Sequence, residues 1–199
     1  MTQSVTADLA RSAQFDVLVA GSVTSTGGKV VSTCSLIRDA GRTFIVDPGM
    51  ADNDDVILAP LRALGIEPTD VTDVVLGHHH PDHTMRVALS PNAAVHDHWA
   101  TYRGADWEDA DAEGRQLTPA IRLIRVPGHT AEDIAVVAGT GQGIVVFTHL
   151  WFDSDGPLED DTAEDAAALH ASRRRVLELA DVVVPGHGDA FRPNSETPR

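Results

Sequence analysis

Gly77-His78-His79-His80-Pro81-Asp82-His83-Thr84 places four histidines and one aspartate within eight residues, a density that ordinary composition does not produce. Imidazolium charges repel one another when crowded, whereas neutral imidazole nitrogens and carboxylate oxygens are common ligands of zinc and neighbouring divalent ions. If His78 and His80 leave the end of a strand, their spacing of two residues puts both rings on one face, where they can grip a single ion. Pro81 sets a turn, after which Asp82 and His83 point at a second, nearby position. His79 points away from the pair and reads as a solvent or packing residue.

An ion that keeps one position open for water needs a third protein ligand. His129, in Pro127-Gly128-His129-Thr130, follows the apolar run 121–126, and His187, in Pro185-Gly186-His187-Gly188, follows the run 182–184. Two strand ends that carry the same Pro-Gly-His motif supply one further ligand to each position. The remaining runs fit the same plan. Segments 15–20, 30–37 and 43–46 are short and β-branched, are separated by Gly21, Gly27-Gly28 and Gly41, and read as a strand meander. Segment 71–76 is a buried strand leading into the histidines, 93–96 is another strand, and 134–138 with 143–147 form a hairpin across a glycine-rich turn. Apolar positions 56, 57, 61 and 64 predict a helix over 54–64, capped by Asp52, Asn53 or Asp54 and ended at Gly65. A second helix is predicted over 162–179, with Arg173, Arg174 and Arg175 on a solvated face. The acidic stretch 99–118 reads as a helix plus loop. Strands followed by a helix in each half indicate an αββα sandwich, a single domain over 1–199.

The 199 residues carry 30 acidic and 15 basic groups, a formal charge of −15, so phosphate backbones and acidic membranes are repelled and a small-molecule substrate is expected. No apolar run approaches the ~20 residues of a membrane span. Residues 1–14 lack the basic start, apolar stretch and cleavage site of a secretory leader, and a soluble cytoplasmic protein is expected. Cys34 is the single cysteine and reads as a small core residue. His96 and His98 flank Asp97 at a ligand-like spacing, but packing roles suit them better.

His78-x-His80-x-Asp82-His83, then His129, then His187 resembles the metal-binding signature of the metallo-β-lactamase superfamily, and the likeness extends over nearly the whole chain. Asp47-Pro48-Gly49 is similar to that family's early aspartate turn, and 173–191 to its closing helix and strand. The resemblance implies an α/β fold of two mixed sheets flanked by helices, one or two zinc ions, with iron or manganese as alternatives, and hydrolysis of a small ester, thioester, lactone or amide-like substrate. Asp82 would orient the nucleophile and pass its proton to the leaving group. Asp47 would orient ligand histidines. The adjacent histidines are also similar to glyoxalase II, although the chain is too short for that enzyme's helical substrate domain. One position departs from the family: His149 falls where two-metal members carry a bridging aspartate. A neutral imidazole cannot bridge as a carboxylate does, so His149 either ligates one ion or donates a hydrogen bond beside the site, and Asp153 is a candidate replacement carboxylate. Trp151 is expected in the pocket wall. Relatives with iron at the same ligands catalyse oxygen or persulfide chemistry, and a non-catalytic metal-binding protein is the third reading.

Overall fold

The computed structural model describes residues 5–6, 8–24 and 28–199. The expected turn residue Gly27 and part of the N-terminal segment weighed above lie outside them. Strands β1 (Gln14–Val19), β4 (Cys34–Asp39), β5 (Arg42–Val46), β6 (Asp73–Val75), β7 (Ala94–His96), β8 (Ala100–Arg103) and β9 (Asp106–Asp109) form one sheet in the order β1-β4-β5-β6-β7-β8-β9. Strands β10 (Gln116–Thr118), β11 (Ile121–Arg125), β12 (Ile134–Thr140), β13 (Gly143–Phe147) and β14 (Val182–Val184) form the other in sequence order. A small ribbon, β2 (Ser22–Val23) with β3 (Val30–Val31), stands apart.

The alternation along the strands produces the layers. Ile37, Phe44, Val46 and Val75 from the first sheet meet Leu123, Val136, Val145 and Phe147 from the second in one buried core. The opposite faces are also apolar, because each lies under a helix. Helix α1 (Asp55–Ala63) buries Ile57 and Leu61 over Leu36, Ile45 and Val74, with Cys34 in the same cluster. Helix α3 (Ala166–Leu177) buries Leu169 and Val176 over Ile124, Val137, Val146 and Val183. The αββα sandwich of two mixed sheets is therefore the observed architecture.

Both sheets mix directions, and this places the site. The pairs β5–β6, β6–β7 and β13–β14 are parallel and all others in the two large sheets are antiparallel. Parallel neighbours deliver their C-terminal ends to one edge, where loops from several strands converge. Asp47 follows β5, the histidine cluster follows β6 with its short helix α2 (Pro81–Thr84), His149 follows β13 and His187 follows β14.

Several expectations are corrected. Stretch 99–118 holds strands, not a helix: β8 and β9 form a hairpin about Gly104 (φ 60°), and Tyr102 faces Trp107 across it with ring centroids 4.6 Å apart. A cross-strand aromatic pair outweighs helix propensity in a segment without an apolar helical stripe. Segment 30–37 is two strands, because Ser32 and Thr33 leave the ladder: Ser32 Oγ donates to the Asp47 carbonyl and Thr33 Oγ1 to that of Gly188. Arg173 is not solvated but fully buried, while Arg175 pairs with Glu113. Helix α3 begins only at Ala166, where Asp165 accepts from the Ala168 N–H, and Asp54 makes no such cap on α1.

Candidate metal centre

The structure brings all seven predicted residues, His78, His80, Asp82, His83, His129, His149 and His187, to one edge of the sandwich. His80 is exposed at the mouth and Asp82 is half-buried, while His78, His83, His129, His149 and His187 are buried. Nε2 of His78 and Nε2 of His129 each lie 3.1 Å from Nδ1 of His80. Asp82 Oδ2 lies 3.3 Å from His83 Nε2 and 3.6 Å from His187 Nε2. His149 Nε2 lies 3.0 Å from His187 Nε2.

These separations suit ions. Donors about 2.0–2.1 Å from a tetrahedral centre stand about 3.3 Å apart. Protons cannot satisfy the first trio, because a neutral imidazole carries one N–H and the convergent nitrogens outnumber the hydrogens available to them. His129 donates its Nδ1–H to Asp160 Oδ2 at 2.8 Å, leaving a lone pair on Nε2 that faces inward. His187 likewise directs Nδ1 at the Val31 carbonyl, 2.9 Å away, and offers Nε2. The groupings of donor atoms close enough to hold an ion are His78, His80 and His129; Asp82, His83 and His187; and His78, His83 and His149. Nδ1 of His78 and of His149 are buried with no hydrogen-bond partner among the described residues.

The electrostatics favour bare nitrogens at His78 and His80. Burial, with neighbouring rings, pushes the pKa of His78 and His149 far down, and His80 and His187 are lowered by the same cause. His83 differs. Burial opposes its charge, but Asp47 and Asp82 outweigh that and raise it to about 9. Asp47 Oδ2 stands 3.0 Å from His83 Nδ1, while its Oδ1 accepts the Gly77 N–H at 2.6 Å. It therefore orients His83 and anchors the start of the histidine loop, as expected of a turn carboxylate. Asp47 has positive φ (53°), and the next turn residue but one, Gly49, is obligatory: a Cβ there would stand 1.4 Å from the Asp82 carbonyl oxygen.

His79 points outward. It lies between Asp97 and Glu132 and stacks on Trp99. His96 packs inside, bonded to Asp73 and Thr101, and neither it nor His98 reaches the centre. Asp153 is no substitute carboxylate, since its Oδ1 accepts the Asp155 and Gly156 N–H groups in a tight turn. Trp151 is in the core rather than the pocket, and its neighbour Phe152 lines the chamber. That chamber, of about 250 Å³, is bounded by Val23, Val30, Phe152 and Thr162 with the ligand residues beneath. Asp160, Phe152 and the valines escape a reading of the sequence. For Asp160 the only signal is an acidic run, 159–161, before a helix.

An αββα sandwich with histidines and a carboxylate gathered at the sheet ends defines a metal-binding α/β protein. The chain belongs to the metallo-β-lactamase superfamily, whose model matches residues 27–187. It is 40% identical over 166 residues to human metallo-beta-lactamase domain-containing protein 1, covering 78% of this chain and 62% of that protein. A hydroxyacylglutathione hydrolase of Xanthomonas euvesicatoria is 34% identical over 115 residues, 52% of this chain and 41% of that protein. Among solved structures, a putative metallo-beta-lactamase from Thermotoga maritima superposes with TM-score 0.74 at 21% identity, covering 92% of this chain and all of that one. An N-acyl homoserine lactone hydrolase, with its product bound at a catalytic metal centre, superposes with TM-score 0.62 at 18% identity over 90% and 94% of the two chains. No helix among the described residues is long and apolar enough to cross a membrane.

Proposed function

We propose that the protein is a metal-dependent hydrolase of a small ester, thioester, lactone or amide-like substrate, with zinc as its resident metal. The observation that carries this reading is the His78, His80 and His129 trio, three inward nitrogens at ion-binding separation with His80 open to the mouth. Three protein donors and a free position are the arrangement of catalytic rather than structural sites. An ion held there supplies Lewis acidity toward a carbonyl oxygen and, by lowering the pKa of water to about 7, hydroxide at neutral pH.

The chain's own residues do the rest. Asp160 fixes the tautomer of His129, and the Val31 carbonyl fixes that of His187. Burial would raise the Asp82 carboxyl, but the hydrogen bond and charge of His83 outweigh that and keep it ionised, so that Oδ2 can face the second position while the other oxygen orients the attacking water and passes its proton to the leaving group. Val23, Val30 and Phe152 exclude water and receive an apolar acyl group. No Lys or Arg lines the chamber among the described residues, which favours an uncharged acyl part. The likeness to a hydroxyacylglutathione hydrolase and the shared fold with a lactone hydrolase support the same class.

The test is a panel of p-nitrophenyl esters, acyl thioesters and lactones with the zinc-loaded protein. Hydrolysis should appear in at least one class, vanish on chelation, and drop more than ~100-fold in His129→Ala. Stoichiometric iron in the protein as isolated, with no turnover across the panel, would replace this reading with an oxidoreductase.

A further inference from the structure

We propose that His149 is a terminal ligand of a second ion, so that Asp82, His83, His149 and His187 form a closed set of four donors beside the open set of three. The inference rests on the metal-dependent reading above. His149 stands at the end of β13 with its Nε2 3.0 Å from Nε2 of His187. Oδ2 of Asp82 is 3.3 Å from His83 and 3.6 Å from His187. A donor atom of His149 also lies within 4.8 Å of one on His83. Three of these separations, 3.0, 3.3 and 3.6 Å, match the edges of about 3.3 Å of one coordination polyhedron.

The ring is closely packed where it stands. A Cβ on Gly186 would stand 2.3 Å from His149 Cδ2, so the imidazole lies directly on that backbone, with Phe152 against it at 5.2 Å. It is 5% exposed, and its Nδ1 meets no partner among the described residues. A neutral imidazole offers a single lone pair and can serve one ion only. Among the described residues no carboxylate replaces it as a bridge: Asp153 is tied into its own turn. Asp82 is the lone carboxylate among the donor groupings.

The two positions therefore differ in kind. Four protein donors close a tetrahedral site, whereas three leave room for solvent and substrate. The hydrolytic chemistry belongs to the His78, His80 and His129 position. The four-donor position acts as a clamp that ties together the loops after β6, β13 and β14.

Apoprotein prepared by chelation is titrated with Zn(II) by equilibrium dialysis and with Co(II) by visible absorption. The wild type should take two ions, and the closed set should give the intense bands of tetrahedral cobalt. His149→Ala and His149→Phe, the second keeping a ring of similar size, should bind one ion normally and the second more than ~100-fold more weakly. Circular dichroism checks that each variant is folded. If the wild type binds no ion, the metal reading itself falls. If it binds only one, or if either folded variant binds two with wild-type affinity, the role of His149 alone is overturned. Should neither variant fold, the wild-type cobalt spectrum decides: weak, five- or six-coordinate bands in both equivalents would overturn the closed set.

Discussion

At the scale of single residues, the chemistry depends on side chains one step behind the donors. Asp160 accepts from His129 at 2.8 Å, and burial would raise its pKa were it not for His129 and Thr162, which bring it to about 2. Asp160→Asn should weaken zinc at the three-histidine position by about 10–100-fold, measured by competition with a chromophoric chelator. Asp73 shows a purely structural counterpart. Burial alone would raise its pKa, but bonds from His96, Arg42 and Thr72 lower it to about 2 from an ordinary 3.8. A carboxyl lowered in the folded state stabilises fully above its unfolded value and loses that contribution as pH falls through the folded one. Stability should therefore drop by roughly 2 kcal/mol between about pH 5 and pH 2, and Asp73→Asn should flatten that limb in urea melts at several pH values. The clustered histidines were legible because five of them, with Asp82, fall in three separated motifs that have no other shared chemistry. Asp160 and Phe152 were not, since an acidic residue or a phenylalanine in a loop carries no spacing that marks its direction.

Among the elements, the loop 148–160 shows how a site wall is held without regular structure. Arg173 of α3 lies beneath it and donates to the carbonyls of Leu150, Pro157 and Leu158, each at 2.8 Å. Arg173→Met should leave three carbonyls without a donor, that of Leu150 fully buried, and cost about 2–4 kcal/mol, seen as a fall in Tm of roughly 5–15 °C. A run of three arginines on a helix reads as a wet face, and only the tertiary structure reveals that one of them turns inward to satisfy backbone oxygens. Gly49 plays the matching part under α2. Gly49→Ala would force its turn away from the Asp82 carbonyl, and zinc affinity should decline with stability, whereas Gly141→Ala, with open space around it, should leave zinc affinity unchanged in the same titration. Strand identity and order were readable wherever β-branched runs met glycine turns. The β8–β9 hairpin was hidden because its pairing rests on one aromatic contact across a polar ribbon.

For the whole molecule, the sandwich brings to one edge groups that are distant in sequence, so ion binding and folding are thermodynamically linked. Chelation should lower Tm. Free zinc at 100 times Kd should restore about 2.7 kcal/mol per site, readable as a concentration-dependent midpoint in scanning fluorimetry. Strand β9 has a consequence of another sort. It ends the larger sheet with all four residues exposed, three of them the acids Asp106, Glu108 and Asp109. An unpaired outer strand is an invitation for another molecule to add itself, and a row of like charges turns that invitation away. With those three acids replaced by Asn and Gln the rim would lose its guard, and fibrous or amorphous clumping seeded along it is how such a protein would first leave solution.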